Sequence, residues 1–200
     1  MISHDLKCIF VHIPRTAGSS IEKWLCGEDW WSIEAETKHL SAHLARQRYR
    51  RYWDSYFKFS FVRNPWDRMV SCLRFGEHFG VSMKNGHISC LNYDNIFGGT
   101  RVLELDHRYY SPSANLRPVH TEGSVYLNLL DEKVDFVGRY ESLDEDCAVI
   151  ASHLGVDPLP DVVEVQSGDR TCYQDYYDEA GVAWVAERFA RDIEFFDYAF

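Results

Sequence analysis

Between Pro14 and Ser20 the chain reads Pro-Arg-Thr-Ala-Gly-Ser-Ser, small and hydroxylated residues around a single cation, Arg15. Such a stretch lets the backbone curl closely, so that N–H groups and the hydroxyls of Thr16, Ser19 and Ser20 can converge on a phosphate. Further along, in FVRNPWDRMVS (61–71), Arg63 and Ser71 offer a planar guanidinium fork and a hydroxyl to an anion. The first segment is not a Walker A loop: the GxxxxGK[ST] spacing is absent and Arg15 precedes Gly18, which disfavours ATP hydrolysis. Each segment alone also has a bland reading, the first as an ordinary turn with an N-capping serine and the second as a surface cation near a packing residue.

Both segments sit where strands give way to helices. Lys7–Ile13 (KCIFVHI) is apolar and rich in β-branched residues, stops at Pro14, and is followed by Ile21, Trp24 and Leu25 at helical spacing. Tyr56–Val62 (YFKFSFV) repeats the pattern, ending at Arg63-Asn64-Pro65 before Trp66, Met69, Val70 and Leu73 mark a helix face. Two strand–loop–helix units predict a parallel sheet. The intervening Thr37–Tyr52 reads as a crossover helix whose later basic residues complement its dipole.

Val134–Gly138 (VDFVG) predicts a third strand, followed by a helix over Ser142–Leu154 with Gly155 as its cap. At the carboxy end, Val182, Val185, Ala186, Phe189, Ile193 and Phe196 predict one long amphipathic helix across Asp175–Tyr198. Residues 82–121 show no sustained period and read as loops and short elements that shape an acceptor pocket. With 200 residues, 46% of them hydrophobic, the chain suits a single α/β domain over residues 1–200.

The net charge of −10 is unevenly spread: residues 1–80 carry 12 basic and 9 acidic side chains, and the remainder 9 and 22. Anion binding is therefore expected to be local to the amino-terminal part, and nonspecific nucleic-acid binding is not expected. No run is long and apolar enough for a signal peptide or membrane span. Six cysteines are scattered without a CxxC pair, and no Asn-X-Ser/Thr acceptor occurs, which fits a soluble, cytoplasmic protein.

HIPRTAGSS (12–20) and FSFVRNPWDRMVS (59–71) together resemble the two cofactor motifs of the sulfotransferase superfamily, specifically its carbohydrate-type branch, which includes heparan sulfate 2-O-sulfotransferase and small bacterial relatives. The likeness continues through VDFVGRYESL (134–143) to the closing YYDEAGVAWVAERFARDIEFFDYAF (176–200). It implies a P-loop, nucleotide-kinase-like α/β fold, with a central parallel sheet flanked by helices and the cofactor across the strands' carboxyl ends.

The resemblance implies 3′-phosphoadenosine 5′-phosphosulfate as donor, no metal, and a hydroxyl acceptor of saccharide type. Carried over, Arg15, Thr16, Ala17, Gly18, Ser19 and Ser20 hold the 5′-phosphosulfate, and Arg63 and Ser71 the 3′-phosphate. The family usually carries lysine where this chain has Arg15, so Arg15 is expected to act by electrostatic stabilisation alone. The related sugar enzymes use a histidine between the two motifs, which points to His39 as general base, with His43 as the alternative. SGDRTCY (167–173) is similar to a loop that closes over the cofactor through Arg170 and Tyr173, although the His and Asn that commonly precede it are replaced by DVVEVQ (161–166). Tyr109 and Tyr110 are candidates for stacking on a sugar ring.

HLSAH (39–43) lacks the glutamate of an HExxH zinc site, so a metal there is not expected. Two other functions use similar anion loops: a nucleotide or small-molecule kinase, which needs magnesium and a lysine in the glycine loop, and a non-catalytic nucleotide-binding module.

Overall fold

The computed structural model describes residues 1–77, 124–160 and 172–200. Its sheet grows from alternating apolar runs. Strand β2 (Cys8–Val11) lies parallel to β3 (Phe57–Val62), and β3 parallel to β4 (Phe136–Arg139), with Phe10 opposite Phe59 and Phe61 opposite Gly138. A two-residue strand β1 (Ile2–Ser3), which has no sequence signal, adds an antiparallel edge to give the order β1-β2-β3-β4. The mixed α/β architecture is the expected one, with that antiparallel edge beside the parallel strands.

Successive side chains of a strand face opposite ways, so a strand covered on both sides is apolar along most of its length. All four residues of β2 are buried. Cys8 and Phe10 pack with Phe59 and Phe61 against Ile21 of α1 (Gly18–Cys26) and Cys147 and Ile150 of α6 (Leu143–Leu154). Ile9 and Val11 face the other way, onto Ala42 and Ala45 of α3 (Ala42–Arg48). The remaining helices are α2 (Trp30–Glu34), α4 (Pro65–Glu77), α5 (Tyr126–Leu129), α7 (Glu179–Arg188) and α8 (Ala190–Phe196). Among the described residues, no helix is long and apolar enough to cross a membrane.

Three sequence expectations shift. The helix over Thr37–Tyr52 contracts to α3 because Ser41 caps it, its hydroxyl accepting from the Leu44 N–H, and a 3₁₀ turn occupies Ala35–Thr37. The third strand starts and ends slightly later than Val134–Gly138. The single carboxy-terminal helix is two, separated at Phe189 (φ −118°, ψ 23°). Its apolar stripe continues because Val185, Phe189 and Phe196 all enter one core, while the fully buried Asp192 of α8 accepts from the Val125, Tyr126 and Leu127 N–H groups and so caps α5. Residues 82–121, including Tyr109 and Tyr110, lie outside the described residues.

Candidate functional site

The parallel strands β2, β3 and β4 end on the same side of the sheet, releasing His12, Arg63 and Tyr140 into neighbouring turns. In the first turn Arg15 (φ 67°) and Ala17 (φ 69°) adopt left-handed backbone, with Thr16 between them at negative φ. Alternation of this kind turns successive N–H groups toward one concavity, and here it opens directly onto the amino terminus of α1, where Ala17 occupies the cap position without a side-chain cap. Left-handed backbone at two residues with a Cβ costs about 1 kcal/mol or more each, so the surrounding structure must hold it.

Three successive loop carbonyls are each fixed by a side chain. Thr16 Oγ1 donates to the Ile13 carbonyl (2.8 Å), Arg68 Nε to that of Pro14 (3.0 Å) and Arg63 Nη1 to that of Arg15 (3.3 Å). Two of these donors come from the second motif. Arg68 is almost wholly buried, which makes it part of the loop's foundation. Thr16 is likewise fully buried, with its hydroxyl donating to the Ile13 carbonyl.

The two motifs meet at side-chain level. Arg15 Nε donates to Ser71 Oγ at 3.0 Å, and both residues are half-buried. Arg63 is oriented by Asp67, which accepts from its Nε at 2.7 Å, and its guanidinium lies 3.8 Å from the centre of the Tyr140 ring. Arg15, Arg63 and Ser71 are thus gathered at the ends of β2 and β3, with Ser19 exposed and Ser20 half-buried in the first turn of α1. Gly18 has no room for a side chain: a Cβ there would lie 1.9 Å from His12 Nε2.

His39 precedes α3 and turns back toward the loop. It is 5% exposed, its Nδ1 is 3.1 Å from the His12 carbonyl oxygen, and its ring centre is 4.3 Å from that of His12. Burial, with the neighbouring His12, holds its pKa well below the usual 6.5. A carbonyl only accepts, so neutral His39 carries its proton on Nδ1, and the buried Nε2 is its acceptor nitrogen. His43 goes elsewhere, its half-exposed ring meeting Glu132 at 3.2 Å and Gln47 at 2.8 Å. Among the described residues no group of three or more His, Cys, Asp or Glu is arranged to hold a metal ion.

Tyr173 packs beside Val70 of the Ser71-bearing helix, its ring 5.8 Å from that of Phe200. Arg170 lies outside the described residues. Sequence reasoning missed the buried Lys38, whose ammonium reaches Ser19 Oγ (3.3 Å), Glu22 (2.7 Å) and Asp29 (2.5 Å). Its position next to His39 was the one available signal.

Residues 1–199 match the family described as "Sulfotransferase family". A curated relative from Archaeoglobus fulgidus, named only as an uncharacterized protein, is 29% identical over 132 residues, covering 64% of this chain and 89% of the relative.

Proposed function

We propose, for a chain that belongs to the sulfotransferase family, that it transfers a sulfuryl group from 3′-phosphoadenosine 5′-phosphosulfate to a hydroxyl of a carbohydrate. The observation that carries this reading is the convergence of two cationic, hydroxyl-bearing segments at adjacent strand ends, joined by the Arg15–Ser71 hydrogen bond. A nucleotide phosphorylated at both its 5′ and 3′ positions is complementary to such a pair of sites. The left-handed turn at Arg15 and Ala17, opening on a helix amino terminus, suits the 5′ group. Arg63 and Ser71 suit the 3′-phosphate.

When bound, the donor supplies an electrophilic sulfur attached to a phosphate leaving group. In this mechanism His39 Nε2 takes the proton of the acceptor hydroxyl as its oxygen bonds to sulfur in line. The bond from sulfur to the bridging oxygen breaks, and the electron pair stays on the 5′-phosphate. Arg15 and the loop N–H groups offset that growing charge without moving. Adenosine 3′,5′-bisphosphate leaves, and His39 returns its proton to solvent.

The carbohydrate acceptor rests on the motif resemblance. A cytoplasmic site of action belongs to the same reading and rests on the sequence, whose six cysteines are scattered without a CxxC pair and which carries no Asn-X-Ser/Thr acceptor.

Transfer of ³⁵S from labelled donor to a panel of mono- and disaccharides tests the proposal. The wild type should label a saccharide, and His39→Ala should lose roughly 10²–10⁴-fold in rate while binding adenosine 3′,5′-bisphosphate as before. Full activity in His39→Ala would remove the base assignment. Labelling of phenols or steroid alcohols in preference to every sugar would overturn the carbohydrate reading.

A further inference from the structure

A buried charged network lies behind the loop, and its centre is Glu22 of α1, which has no exposed surface. Its Oε1 accepts from His12 Nδ1 at 2.6 Å, and its Oε2 from Lys38 Nζ at 2.7 Å and the Trp30 N–H at 3.1 Å. Burial alone would raise the Glu22 pKa, but the hydrogen bonds from His12 and Lys38 outweigh it and hold the carboxylate ionised. Burial keeps His12 neutral, its pKa below the usual 6.5, so Nδ1 donates and Nε2 lies against Gly18.

Ion clusters are an expensive way to fill a core, since apolar residues of similar volume often serve stability as well or better. This cluster touches Gly18 and Ser19 of the loop and His39. The His12 ring is wedged between Gly18 of the loop and the ring of His39, and the His12 carbonyl receives the His39 Nδ1–H. Lys38, bonded to the same carboxylate, directly precedes His39 and reaches Ser19. The separation between anion loop and base is therefore set by one imidazole and one ammonium, both bonded to Glu22, with Asp29 a second partner of the ammonium.

We propose that Glu22 is a positioning residue for sulfuryl transfer: by gripping His12 and Lys38 together it makes the His12 ring a fixed spacer between the loop and His39. This inference rests on His39 being the base. Glu22 itself does not touch substrate, and its contribution is geometric, of the kind in which a displacement near 1 Å costs about 10²-fold in rate.

The test is Glu22→Gln, which keeps the shape but cannot accept from both partners alike. Donor turnover is read as adenosine 3′,5′-bisphosphate released in a hexose and hexosamine disaccharide mixture, alongside calorimetric binding of adenosine 3′,5′-bisphosphate and nitrogen-15 NMR of the histidine rings. Expected are a kcat lower by about 10²-fold, unchanged product affinity, and loss of the single Nδ1–H form of His39 expected of the wild type. Should Glu22→Gln not fold, His12→Asn retains a donor for Glu22 but removes the spacer ring, and should show the same loss of kcat.

A folded Glu22→Gln or His12→Asn protein with wild-type kcat and one His39 tautomer would overturn the proposal. His39→Ala, measured alongside, separates the two claims: if it keeps full turnover, the base assignment fails, and if it is inactive while Glu22→Gln is not, only the positioning role fails.

Discussion

Arg15 and Ser71, 56 residues apart in sequence, are joined by a 3.0 Å hydrogen bond from guanidinium Nε to hydroxyl oxygen. The contact ties the turn after β2 to the second helical turn of α4, and so joins the two segments proposed to bind the donor. The bond uses the guanidinium Nε, a donor that a lysine side chain does not have.

Ser71→Ala should therefore weaken adenosine 3′,5′-bisphosphate, because it removes a hydroxyl from the proposed 3′ site and frees Arg15. A hydrogen bond to a charged group is worth about 1.5–3 kcal/mol, so calorimetry should record a loss of roughly tenfold or more. AMP, lacking the 3′-phosphate, should lose much less. Equal losses for both ligands would place Ser71 away from the 3′ group.

Arg68 offers a test of the loop's foundation. Arg68→Met keeps much of the buried volume but leaves the Pro14 carbonyl without the Nε donor. A cost of about 1–3 kcal/mol in urea unfolding is expected, together with weaker binding at the loop. Wild-type stability and affinity would mean that the left-handed turn holds without it.

The buried histidines give the fold a pH dependence of definite sign. His12 and His39 both have pKa values below the usual 6.5, desolvation being the main cause. The unfolded chain thus binds more protons than the folded one once pH falls below that value, and stability declines on acidification. Urea midpoints should drop between pH 7.5 and 5.5, and His39→Asn should show a shallower drop. A flat profile would contradict neutral burial.

Much of the strand and loop framework was legible because its signals are local. β2 and β3 are apolar runs stopped by Pro14 and by Asn64-Pro65, and Pro65 opens α4 where its missing N–H costs nothing. Gly155 ends α6 in left-handed backbone, as its position predicts. The break at Phe189 was not legible: it occurs inside an uninterrupted apolar stripe and accompanies a contact between Asp192 and α5, far away in sequence. Glu22 and Lys38 were hidden for a similar reason. Each looks like a surface charge until β2, α1 and the segment before α3 are packed together, and no spacing rule relates positions 12, 22 and 38.

The paired segments are proposed to recognise a nucleotide phosphorylated at both its 5′ and 3′ positions. Calorimetric binding of adenosine 3′,5′-bisphosphate, ADP and AMP to the wild type and to Arg63→Ala tests it without knowledge of the acceptor. Clear preference for adenosine 3′,5′-bisphosphate, lost in Arg63→Ala, is expected, whereas ADP binding as tightly or more tightly, particularly with magnesium, would overturn this recognition and favour a kinase.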